Sequence, residues 1–239
     1  QAIKEGVVED MANKDKITSL LRFSSTNNDS DTKNVSLDQY VERMSDDQDA
    51  IYYITAESYQ AAKGSPHLEL FNKKGIEVLL LTDPVDEWLV NSLFEHNEKP
   101  LKSVSKGDLE LSDEEQKEQE EQKEELSSVT EKLQEALKDV VKEVRLTNRL
   151  TESPACLVAD ANDPGANLER IMKAMGQDAP TSMPILEINP EHALIKGLNI
   201  DSDDFSGWAQ VLYDQAVLSE GAQLKDPANY VKLVNSLLT

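Results

Sequence analysis

Three acidic residues gather where an apolar run ends. Ile76 to Leu81 leads straight into Thr82-Asp83-Pro84, with Asp86 and Glu87 just behind. A near-continuous apolar run of this length reads as a parallel strand buried on both faces, and ligands of open α/β sheets collect beyond the carboxyl ends of strands. Asp83, with Asp86 and Glu87, has the hard oxygen donors that would hold Mg²⁺ for phosphoryl chemistry. The competing reading is that Asp83 precedes Pro84 and caps the next helix, since no second acidic strand end converges on it. Neither Gly-x-x-x-x-Gly-Lys nor Gly-x-Gly-x-x-Gly occurs, so a phosphate-cradling loop is missing. His67, His96 and His192 share no ligand spacing and read as surface or helix-start residues. The single cysteine, Cys156, lies between Ala155 and Leu157 and reads as a buried, inert thiol. One cysteine excludes an internal disulfide and a cysteine-cluster zinc site, and fits a reducing, cytoplasmic setting.

Two apolar features admit a binding role. Trp88 stands beside Glu87 and Asn91 on the first turns of a short helix. Leu168, Ile171, Met172 and Met175 recur at helical spacing over 164–175. Core packing explains both; so does an exposed, adaptable patch, because methionine is flexible and suits surfaces that accept many partners.

The elements that must position these residues follow from pattern. Helical sequence is expected at 14–22, 36–45, 57–63, 66–74 and from Pro84 to about Glu95. Strands are expected at 51–55 and 76–81, giving a small βαβ layer. A second set comprises strands at 155–159 and 185–188 and helices at 164–175, 190–198, 204–220 and 226–238. Between the sets, residues 108–125 carry ten acids against Lys117 and Lys123. Ser112 and Glu115 form a capping-box pattern, and a stripe from Leu126 through Val129, Leu133, Leu137, Val140, Val141 and Val144 extends that helix over 112–144. The fold class is α/β (α+β overall). Residues 1–110 are read as a small three-layer αβα subdomain and 111–239 as an α+β domain ending in a helix pair. That pair carries more apolar width than a hairpin covers by itself, which predicts a homodimer through Trp208, Leu212, Leu218, Tyr230, Val234, Leu237 and Leu238.

The 239 residues carry a net charge of −22. Nucleic acid and anionic membranes need clustered Lys and Arg, so neither is an expected partner. No apolar run approaches the roughly 20 residues of a membrane span. The chain opens at Gln1 in what reads as mid-helix sequence, so a piece of something longer is expected.

The segments Lys16–Phe23, Ile51–Thr55, Ser65–Glu69, Lys74–Trp88, Val144–Leu150, Ser153–Ala155 and Leu186–His192 together resemble, in order, the ninety-kilodalton heat-shock chaperone family, its bacterial branch above all. The resemblance covers essentially the whole chain and matches the end of the family's middle domain plus its C-terminal dimerisation domain. It implies a non-catalytic stretch of an ATP-dependent protein-folding chaperone. The ATP and Mg²⁺ of the family would bind upstream, and no cofactor is expected here. The family's client surface maps onto Glu87, Trp88 and Asn91 on one side and Leu168, Ile171 and Met172 on the other, with Met175 added by pattern. Pro164 stands where a further apolar contact would begin, and leaves the extent of the patch open there. Partners implied are a second copy, partly unfolded clients and the seventy-kilodalton heat-shock chaperone. The chain ends at Leu237-Leu238-Thr239, so the acidic pentapeptide of eukaryotic members, and the co-chaperone docking that goes with it, are not carried over.

Overall fold

The computed structural model describes residues 2–28, 30–107, 122–161, 163, 165–178 and 182–238. The acidic helix start expected at Ser112 lies outside them.

The β-branched and aromatic run Ile51–Thr55 forms β2, and Leu79–Leu81 forms β3. They pair in parallel, Tyr53 opposite Leu79. Three strands that the sequence pattern does not announce complete this sheet: β1 (Ser24–Ser25), β4 (Glu95–His96) and β5 (Lys99–Ser103), in the order β1-β3-β2-β5-β4. Asn97 and Glu98 join β4 to β5 with φ of 49° and 61°. A two-residue link with positive φ at both positions is the mirror-image turn whose twist matches a hairpin. Around the sheet lie α1 (Ala2–Glu9), α2 (Lys14–Thr18), α3 (Leu37–Arg43), α4 (Tyr59–Lys63), α5 (Glu69–Lys74) and α6 (Asp86–Ser92). Ser36 and Gln39 close a full capping box on α3. Its Tyr40, 1% exposed, donates to the Glu77 carbonyl at 2.6 Å and accepts from Tyr52 N at 3.0 Å, so α3 is tied to the sheet by a satisfied buried hydroxyl.

A second sheet contains β6 (Glu143–Leu146), β7 (Ala155–Val158) and β8 (Ile185–Ile188), ordered β6-β8-β7, with β6 parallel and β7 antiparallel to β8. Beside it are α7 (Ser127–Leu137), α9 (Ala193–Lys196), α10 (Phe205–Ser219) and α11 (Pro227–Leu237); α8 (Ala166–Ala174) lies between β7 and β8 in sequence. Leu133, Leu137, Leu146, Leu186, Ile188, Ala209 and Leu212 fill one core cluster. The expected helix does not run to 144: α7 stops at Leu137, and Val144 is in β6. The β-branched side chains that continued the helical stripe favour an extended backbone. Gln134, near the end of α7, accepts from Val144 N through its side chain at 2.7 Å, occupying a main-chain donor of β6.

The chain divides into two compact units that interleave along the sequence. One comprises Gln1–Gly64, Phe71–Val104 and Ala166–Ala179; the other comprises Ser65–Leu70, Ser105–Gly165 and Pro180–Thr239. Helix α8 therefore groups with the first sheet.

Candidate functional site

Helix α6 is fixed at its start by charge. Asp86 is 1% exposed, and its carboxylate accepts from Asp83 N at 2.9 Å. Lys4 of α1 reaches Asp86 at 2.6 Å and Asp83 at 2.8 Å, and Lys33 reaches Asp83 at 2.6 Å. Burial works against ionisation of Asp83, but the Lys33 and Lys4 ammonium groups outweigh it and hold the carboxyl at about 2. At Asp86 burial wins over Lys4 and pushes the carboxyl up. These ammonium groups occupy the oxygens that the sequence offered to Mg²⁺. Among the described residues no group of three His, Cys, Asp or Glu could hold a metal ion.

The next residues of α6 divide inside from outside. Glu87 is 3% exposed and accepts from Asn167 Nδ2 of α8 at 2.6 Å. Trp88 is 36% exposed. Asn91 is exposed and donates its side-chain amide to the Glu87 carbonyl one turn back, at 2.7 Å. On α8, Ile171 is buried, Leu168 and Met172 are half-buried, and Met175, just past the helix, is 59% exposed. An open groove results, lined by Glu5, Pro84, Val85, Trp88, Arg170, Ile171, Ala174 and Met175. Thus Trp88, Ile171 and Met175 come together on one surface. Glu87 stands behind it as a buried anchor, and Leu168, Met172 and Asn91 are not among its lining. Glu5, Val85 and Arg170 escape sequence reading, because neither α1 nor a lone arginine carries a local binding signal.

In the other unit, the two terminal helices pack on each other where Gly207 admits the side chains of Leu233 and Leu237. Leu212 is fully buried within its own unit and so cannot itself be a contact for a second copy; its period on α10 belongs to the core stripe. Leu218 and Leu238 are 45% and 75% exposed, while Trp208, Tyr230, Val234 and Leu237 are half-buried. Helix α11 has no buried residue at all, although Tyr230, Val231, Leu233, Val234 and Leu237 lie along it. The remaining chemical groups are internal. Burial pushes the Cys156 thiol well above its ordinary range. His67, fully buried at the start of a helical turn, lies 3.0 Å from Glu220, and His192 caps α9.

No helix among the described residues is long and apolar enough to cross a membrane. Residues 1–239 match the Hsp90 protein family throughout. The chain is 58% identical over 241 aligned positions to proteins named chaperone protein HtpG from Burkholderia cenocepacia, Burkholderia orbicola and Burkholderia ambifaria, covering all of this chain and 38% of each relative. It therefore spans well under half the length of the curated relatives it matches. The family match over residues 1–239 and the 58% identity over the whole chain show that this chain belongs to the Hsp90 family.

Proposed function

We propose that this stretch supplies part of the client-binding surface, and the homodimer contact, of an ATP-dependent protein-folding chaperone acting in the cytoplasm. The observation that carries the client reading is the groove in which an exposed Trp88 faces Ile171 and Met175. A half-exposed tryptophan beside a flexible methionine offers apolar area without a fixed shape, which suits weak binding to many partly folded chains. Glu5 and Arg170 balance each other on the groove, and the −22 net charge around it favours client segments that mix apolar with basic residues. In this reading ATP is hydrolysed by family residues outside the stretch, and the seventy-kilodalton chaperone hands clients on.

The test is binding of a reduced, permanently unfolded protein to the intact chain. Trp88→Ala combined with Met175→Ser should weaken binding about 30-fold, the scale of one interface hot spot of about 2 kcal/mol. Met175 is 59% and Trp88 36% exposed, so the double change should cost at most about 2 kcal/mol and lower the melting temperature by no more than about 8 °C, with the chain still unfolding cooperatively. Unchanged affinity would refute the client reading.

A further inference from the structure

We propose that α8 is a lid: in the conformation described here it covers part of the client surface, and a client segment displaces it. The inference rests on the client reading of the groove. Four observations support it. First, α8 turns inward the residues that would make it sticky, with Ile171 only 7% exposed and Leu168 and Met172 half-buried. Second, its attachment among the described residues is slight. The Asn167–Glu87 hydrogen bond of 2.6 Å is internal, and the Arg170–Glu57 ion pair is long, 3.5 Å, and exposed on both sides. Third, nine residues are too few for a helix to hold its shape alone, so α8 depends on its contacts. Fourth, glycines flank it, Gly165 with φ of 80° and Gly176 with φ of 73°, and glycine crosses backbone space that other residues resist.

Glu87 is the clasp. A carboxylate at 3% exposure is tolerable because Asn167 satisfies it. When α8 leaves, water reaches Glu87 and replaces the amide, so opening strands no buried charge. It also uncovers Ile171, Leu168 and Met172 together with more of Trp88, and enlarges the apolar surface when a client competes for it. The apparent affinity for a client is then lowered by the closed fraction, and any change that opens the lid should tighten binding.

Asn167→Ala removes the clasp without touching the lining residues. In the intact chain it should tighten binding of a reduced, unfolded protein about tenfold, as expected if the closed form dominates and loses one charge-assisted hydrogen bond. In parallel, fluorine NMR of the chain labelled with fluorotryptophan separates Trp88 from Trp208, the Trp88 signal being the one lost in Trp88→Ala. Relaxation of that signal by a soluble paramagnetic agent should rise in Asn167→Ala, while circular dichroism keeps the fold in view. Tighter binding with a more accessible Trp88 supports the lid. Unchanged or weaker binding with unchanged accessibility overturns it. If Trp88→Ala leaves binding intact, the client reading fails on its own, and the accessibility of Trp88 in Asn167→Ala still decides the lid: a rise supports it and no rise overturns it.

Discussion

At Glu187 one carboxylate in the middle of β8 meets two guanidinium groups, Arg149 Nε at 2.9 Å and Arg145 Nη2 at 2.7 Å. Arg149 is 1% exposed and also donates to the Gly107 carbonyl at 2.9 Å. Burial raises the Glu187 carboxyl, but Arg149 outweighs it and the net shift is downward. Arg149→Ala leaves a buried anion short of its main partner and should cost about 3–5 kcal/mol in denaturant unfolding of the intact chain. A cost below about 1 kcal/mol would mean that Arg145 suffices. Asp83 predicts a pH dependence. Its folded-state carboxyl, at about 2, lies below the unfolded value of about 3.9. The stabilisation it supplies is therefore complete above about pH 5 and lost as pH falls through about 2. Asp83→Asn should flatten the acid limb of stability against pH in that window. Asp86, shifted the other way, works in the opposite sense, so the two must be varied separately. Such residues are opaque to sequence reading. Asp86 and Glu87 read as metal ligands or client contacts, Lys4 and Arg149 carry no local signal of burial, and only the partners found in three dimensions explain why all four are buried.

At the scale of elements, the terminal helix pair is the clearest case of surface left over. No residue of α11 is fully buried in its own chain, and the helix presents Val231 at 55% and is followed by Leu238 at 75% exposure. Changing Val231 and Leu238 to Asp should convert a dimer at micromolar concentration into a monomer by sedimentation equilibrium, with the unit containing the five-stranded sheet still folded. An intact chain that sediments as a monomer would refute the dimer. Legibility by element followed a simple rule. Strands β2, β3, β7 and β8 are apolar runs and stand out. Strand β5 reads Lys-Pro-Leu-Lys-Ser, and β1 and β4 are two residues each, so neither composition nor alternation marks them. Strand β6 was hidden because Val140, Val141 and Val144 happen to continue a helical period. Trp88, Ile171 and Met175 were legible as candidates from residue type. That they share a groove was not, because they come from helices about 80 positions apart, which no local pattern brings together.

For the whole molecule, the −22 charge sets the terms on which anything approaches. Association with a basic unfolded client should slow as salt rises from 10 mM to 0.5 M, because the Debye length falls from about 30 Å to about 4 Å, whereas dissociation from an apolar groove should change little. Stopped-flow rates would separate the two, and a salt effect confined to dissociation would contradict charge steering. The edge of the smaller sheet carries a different consequence. Strand β6 is an outer strand of that sheet, in the order β6-β8-β7, and an outer strand is where one protein molecule can template pairing with the next. Gln134 occupies one of its donors with a side-chain oxygen. A side-chain amide thus caps a main-chain donor on an outer strand, and Gln134→Ala should leave the fold in place while the purified protein forms amyloid-like aggregates faster on storage, read by thioflavin fluorescence.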